Sequence, residues 1–139
     1  MIYFSVPGEP VGKGRVRVTC AKGTSCAYTP ENTAVYENLV KLMYIQAAKG
    51  KRLEGAVDAE IHAFYSIPKS ASKKKHDAMA GSPCLKKPDA DNVAKSILDA
   101  LNKLAFDDDS AVVTLHVEKQ WSDDPHVYVM LKEHERSSQ

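Results

Sequence analysis

No apolar run in this 139-residue sequence approaches the ~20 residues needed to cross a bilayer, so a membrane-spanning protein is not expected. The opening residues, MIYFSVPGEP, lack a basic leader ahead of their short apolar stretch and do not read as a secretory signal. Cysteine is scarce. Cys20, Cys26 and Cys84 are odd in number and form no C-x-x-C pair. That argues against a disulfide framework or a zinc site, and for reduced thiols in a cytoplasmic protein. The five histidines, His62, His76, His116, His126 and His134, show neither H-x-x-x-H nor H-E-x-x-H spacing, and each reads as a surface or strand-face residue. Internal repeats and low-complexity tracts are also missing. So is the Gly-rich strand-to-helix phosphate loop that an enzyme acting on a small phosphorylated substrate would be expected to carry.

What is present fits one soluble domain spanning residues 1–139. With 43% hydrophobic and 27% charged residues, a chain of this length can bury a core without a disulfide or metal staple. The net charge of +1 conceals a division along the chain. Residues 1–87 carry 14 Lys/Arg against 7 Asp/Glu, a balance of +7. Residues 88–139 carry 5 against 11, a balance of −6. Two surfaces with different tasks are expected, one facing a polyanion and one holding cations.

Apolar periodicity places the elements. Ile2 to Val6 reads as a strand, and Val11 to Thr19 as a second, with Lys13, Arg15 and Arg17 on one side. Cys20–Tyr28 reads as a loop or hairpin tip. Thr29, Pro30 and Glu31 supply the cap, first turn and dipole signals of a helix whose apolar face is Val35, Leu39, Leu42, Met43 and Ala47, ending at Gly50. Ala56 to Ile67 alternates as a half-buried strand. A short helix or a connector follows, holding Lys69, Lys73, Lys74 and Lys75. Val93, Ile97, Leu98, Leu101 and Leu104 then mark the clearest helix, from Asp91 onward, which Asp91 is placed to cap. Val113 to Trp121 and His126 to Leu131 read as an antiparallel hairpin, with Trp121 and Tyr128 packing within it, and the polar tail from Glu133 is expected to fray. The fold class is α+β, a mixed sheet with helices packed against it.

The residues with chemical potential lie around the clearest helix. Asp89 and Asp91 stand at its start, with Lys95 one turn after Asp91 on the same face, and Asp107, Asp108 and Asp109 follow its end. A strand returning past the helix start is expected to bring the two acidic segments together on one hard cation, since Mg²⁺ takes a few carboxylate oxygens together with waters and substrate phosphate. Each piece alone has a plainer reading: a cap, a solvated turn, an exposed lysine. Their combination with a separate basic half is what metal-assisted phosphodiester chemistry needs. Gly12-Lys13-Gly14-Arg15-Val16-Arg17 adds cations at alternate positions, with glycines that let backbone amides approach a phosphate.

The segment Lys87-Pro-Asp-Ala-Asp-Asn-Val-Ala-Lys-Ser-Ile-Leu-Asp-Ala-Leu-Asn, followed by Ala105-Phe-Asp-Asp-Asp-Ser-Ala-Val, resembles the RusA family of Holliday junction resolvases. Pro10-Val-Gly-Lys-Gly-Arg-Val-Arg, Tyr28-Thr-Pro and Pro68-Lys-Ser with its following lysines extend the resemblance over most of the chain. The resemblance implies a RusA-like fold and a homodimeric endonuclease, bacterial or phage-encoded, that binds four-way DNA junctions and makes paired nicks. Its cofactor would be Mg²⁺, with Mn²⁺ as a substitute. Asp89, Asp91 and Asp109 would be the catalytic metal ligands, with Asp108 the alternative to Asp109, and Lys95 the essential lysine. Lys13, Arg15, Arg17, Lys69, Lys73, Lys74 and Lys75 would contact DNA. The reading from another class is a DNA-binding protein of the same fold without catalytic activity.

Overall fold

The computed structural model describes residues 1–12, 17–21, 24–28 and 31–135, and for residues 17–21, 24–28 and 31–33 it describes the backbone alone. Strand β1 (Ile2–Pro7) buries Ile2, Phe4 and Val6 and exposes the residues between them. The Cys20–Tyr28 stretch is part of an antiparallel hairpin, β2 (Arg17–Ala21) and β3 (Thr24–Tyr28), which forms a two-stranded sheet of its own. Helix α1 (Glu31–Ala48) follows. Thr29 and Pro30, read as its start, lie outside the described residues.

The face that α1 buries differs from the expected one. Tyr36, Val40, Tyr44 and Ala48, spaced four apart, point into the core, with Leu39 and Met43 packed beside them. Val35 and Leu42 are exposed, 61% and 49%. Apolar residues occur all round this helix, so periodicity did not fix which side is buried. The two tyrosines decide it, because each carries a large ring.

Strand β4 (Val57–Ser66) has the expected alternation, with Val57, Ala59, Ile61, Ala63 and Tyr65 all buried. The lysine-rich segment after it contains helix α2 (Lys73–Met79), capped by the Ser72 side chain, which accepts from Lys75 N at 3.2 Å. Helix α3 (Ala90–Leu101) buries Val93, Ala94, Ile97, Ala100 and Leu101 against the sheet. A single turn of 3-10 helix (Asp109–Ala111) leads into β5 (Val112–Ser122), and β6 (His126–Glu133) closes the chain's ordered pairing.

The main sheet is mixed, in the order β1-β6-β4-β5. Strand β5 runs parallel to β4, from Val57 opposite Val112 to Ser66 opposite Ser122. Strand β6 is antiparallel to both β4 and β1. The expected β5–β6 hairpin is therefore absent: β4 lies between the two strands, and the turn at Asp123–Pro125 carries the chain over its end. Parallel neighbours need a long crossover, which the segment containing α2 and α3 supplies. Such a central strand is paired on both edges, and the buried alternation of β4 suits that place.

Helices α1 and α3 share one face of the sheet and enclose a single core with β1, β4 and β6. On the other face, His62 lies between Glu60 (2.8 Å) and Glu118 (3.1 Å), and His116 also reaches Glu118 (3.1 Å). Tyr128 stands beside His62 on this face rather than within a hairpin. The tail is held further than expected: Glu133 accepts from Glu54 N, and His134 N donates to Ala56 O at 2.7 Å. No described helix is long and apolar enough to cross a membrane.

Candidate active site

The start of α3 is assembled by contacts from three directions. Asp89, not Asp91, occupies the N-cap position, and its side chain makes no capping bond. Asp91 sits in the first turn, and Lys95 follows one turn later. All three side chains are exposed. No hydrogen bond or ion pair engages them among the described residues, so neither carboxylate is consumed by the fold.

Beneath this stretch, Tyr65 is almost wholly buried, and its hydroxyl donates to the carbonyl oxygen of Pro88 at 2.5 Å. Burial, reinforced by the nearby Cys84 and Asp89, pushes the tyrosine's pKa above its usual value, so the hydroxyl keeps its proton and remains a donor. On the adjacent strand, Lys119 donates to the carbonyl oxygen of Lys86 at 2.6 Å, with its ammonium 5.3 Å from the centre of the Tyr65 ring. Two side chains of the sheet thus hold the carbonyls of Lys86 and Pro88, just ahead of Asp89. The sequence offered one signal for this: a buried tyrosine hydroxyl on an otherwise small, apolar strand face needs a partner.

The basic segment starts against the same place. A Cβ added to Gly12 would lie 2.5 Å from Asn92 Nδ2 and 2.7 Å from Pro88 Cβ, so only glycine lets the chain pass this close. Lys13 and Arg15 themselves lie outside the described residues, and Arg17 is described only as the backbone start of β2. Lys69 lies in the loop after β4, and Lys73, Lys74 and Lys75 form the exposed first turn of α2.

The second acidic segment sits elsewhere. Asp109 N donates to Asn102 Oδ1 at 3.0 Å, and Asn102 caps the C-terminal end of α3. The two acidic segments are therefore separated by nearly the whole helix, roughly 16 Å of axial rise from Asp91 to Asn102. Strand β5 does run back toward the helix start, but Asp109 stays at its beginning. The expected convergence does not occur within one chain: among the described residues, no three His, Cys, Asp or Glu side chains are grouped to hold a metal.

The three consecutive aspartates have different surroundings. Asp107 pairs with Arg52 at 3.1 Å. Asp108 accepts from the Ser110 hydroxyl at 2.6 Å and from Ser110 N at 3.3 Å, bonds that hold its carboxyl below the usual range. The Asp109 carboxylate has no partner among the described residues.

The sequence matches the family model of the endodeoxyribonuclease RusA over residues 7–132. It is also similar to YqaN of Bacillus subtilis (strain 168), a protein described as uncharacterized. The two are 38% identical over 137 residues, which covers 95% of this chain and 96% of that one. The family match includes the Gly12 contact, the start of α3 and all three aspartates at its far end. This chain belongs to the RusA endodeoxyribonuclease family.

Proposed function

We propose that this protein is a metal-dependent, structure-selective DNA endonuclease that resolves four-way junctions by paired nicks and acts as a homodimer. The observation that carries the reading is the contact of Gly12 with Pro88 and Asn92. It joins the start of the basic segment to the start of α3, so a phosphate backbone tracked by Lys13, Arg15 and Arg17 would run beside Asp89, Asp91 and Lys95.

The donor chemistry fits a hard divalent cation. Asp89, Asp91 and Asp109 offer unengaged, exposed carboxylates, whereas Asp108 is spent on capping, which favours Asp109 as the ligand. When bound, Mg²⁺ (or Mn²⁺) supplies Lewis-acid polarisation of a phosphoryl oxygen and an acidified water. Lys95, carried on a helix one turn from Asp91, would place an ammonium where negative charge grows on the phosphate. Tyr65 and Lys119 keep the Asp89 backbone in register with that helix.

A second copy completes the set. Strand β5 is an edge of the sheet, and Val113 and Leu115 on it are exposed, 56% and 45%. Its C-terminal half is already covered, because Gly81, Ser82 and Cys84 pair with Lys119 and Trp121. From Val112 to Glu118, no described residue pairs with the outer edge. Antiparallel association of two such edges would carry Asp109 of one copy toward the Asp89–Asp91 end of the other, and would give a junction two symmetric sites.

That no three ligands are gathered among the described residues of a single chain is also what a catalytically idle DNA-binding protein would show. Nicking of a four-way junction in Mg²⁺ separates the two. The wild type is expected to nick, Asp91→Asn to lose nicking, and Lys95→Ala to fall about 10²–10³-fold in rate while still binding the junction. Equal inactivity of the wild type and Asp91→Asn would establish the idle binder instead. A wild-type rate for Lys95→Ala would remove that lysine from the chemistry.

A further inference from the structure

We infer that the cavity at the C-terminal end of β4 is a subsite for an unpaired nucleotide of the DNA strand, its phosphate held by Lys69 and Lys73. This rests on the reading of the protein as a DNA endonuclease and names a feature of its substrate. The cavity measures about 660 Å³, room enough for one nucleotide. Its walls are apolar where Ile67, Pro68 and Pro125 meet, and the two lysines stand at its edge. Among the described residues, neither lysine has a carboxylate partner. Their charge is thus available to an incoming anion.

The remaining charged groups do not cancel this. His76 and Asp123 also line the cavity, but they are bonded to each other, and His76 reaches Asp77 at 3.4 Å as well. Among the described residues, Asp123, which His76 engages, is the one carboxylate that lines the cavity, against the two ammoniums of Lys69 and Lys73. An apolar wall beside two unpartnered ammoniums suits a base and its phosphate together.

Position supports the same occupant. Ser66 lines the cavity, and its neighbour Tyr65 holds the Pro88 carbonyl just before Asp89. A strand with its scissile phosphate at the start of α3 would therefore lie at the same end of β4 as the cavity. A nucleotide stacked in duplex cannot enter, whereas one at a branch point has little pairing to lose. The subsite would make the enzyme select branched DNA over duplex.

Junction and duplex binding, measured against salt concentration, test the inference with two variants. Lys69→Ala/Lys73→Ala removes the cations, and Ala71→Trp fills the cavity while leaving them in place. Both substitutions are at solvent-accessible positions, and circular dichroism checks that each variant folds. The double variant is expected to bind the junction at least tenfold more weakly, with the salt slope reduced by about 2. Ala71→Trp is expected to weaken junction binding with the slope unchanged, and to leave duplex binding as it was. Lys41→Ala, on the exposed side of α1, serves as the charge control. Wild-type junction affinity in either variant overturns the subsite: unaltered Ala71→Trp would make the lysines mere surface charge, and an unaltered double variant would exclude the phosphate contact. If the wild type bound no DNA, the endonuclease reading itself would fall, a result distinct from either.

Discussion

Tyr65 and Lys119 lie on neighbouring strands and grip the carbonyls of Pro88 and Lys86, so the geometry of the Asp89–Asp91 stretch is set by the sheet rather than by its own loop. Replacing Tyr65 by Phe keeps the ring in the core and deletes one hydrogen bond. The expected cost is about 1 kcal/mol, up to about 3 if the Pro88 carbonyl finds no water. For a chain of this length, a melting temperature lower by roughly 2–4 °C per kcal/mol should follow. On the proposed reading the hydroxyl positions the Asp89–Asp91 segment without touching DNA, so single-turnover nicking should slow while junction affinity stays unchanged. A proportional loss of both would reduce Tyr65 to a stabilising residue. None of this was legible in the sequence beyond the alternation of β4, since the partner carbonyl is 23 residues away along the chain. The Asp107–Asp109 run posed the same difficulty. Three identical residues differ only through Arg52 and Ser110, whose placement the fold decides.

At the scale of elements, the sequence was informative wherever one face was strictly apolar. The alternation of β4 and the spacing of Val93, Ile97 and Leu101 in α3 each correspond to a buried face. It misled where a pattern had two structural solutions. Two strands joined by a short polar turn look alike whether they pair with each other or flank a third, and β5 and β6 flank β4. The docking of α2 was likewise invisible, because it depends on His76 meeting Asp123 across 47 residues. Hydrogen bonds that His76 donates to the Asp123 carboxylate first, then to Asp77, raise its pKa, so the folded state binds its proton more tightly than the unfolded chain. The stabilisation is complete below the ordinary histidine pKa and is lost as pH rises through the raised value. The melting-temperature difference between the wild type and His76→Gln should therefore be larger at pH 5.5 than at pH 9. A difference that grows with pH would show that this pair does not anchor α2.

For the molecule as a whole, the acidic residues of the second part of the sequence do not share one surface. The basic lead-in at Gly12 and the acidic start of α3 share one end, and Asp107–Asp109 occupy the other. The helix length that separates these aspartates was legible in the sequence, but not that Asp109 stays at the beginning of β5 instead of returning with it. If two copies complete each other's sites across β5, inactivating changes at the two ends must complement. Asp91→Asn and Asp109→Asn homodimers would each be inactive, since every site in them lacks one ligand. In a mixed dimer, one site carries both changes and the other carries neither. Random exchange makes about half of the dimers mixed, so an equimolar mixture should recover about a quarter of wild-type nicking per subunit. Each such dimer has one working site, so the recovered activity should appear as single nicks rather than paired ones, which supercoiled plasmid cruciforms distinguish as open circles against linear product. Complete inactivity of a demonstrably exchanged mixture would place all the ligands within one chain and require α3 or the Asp109 turn to rearrange on binding DNA.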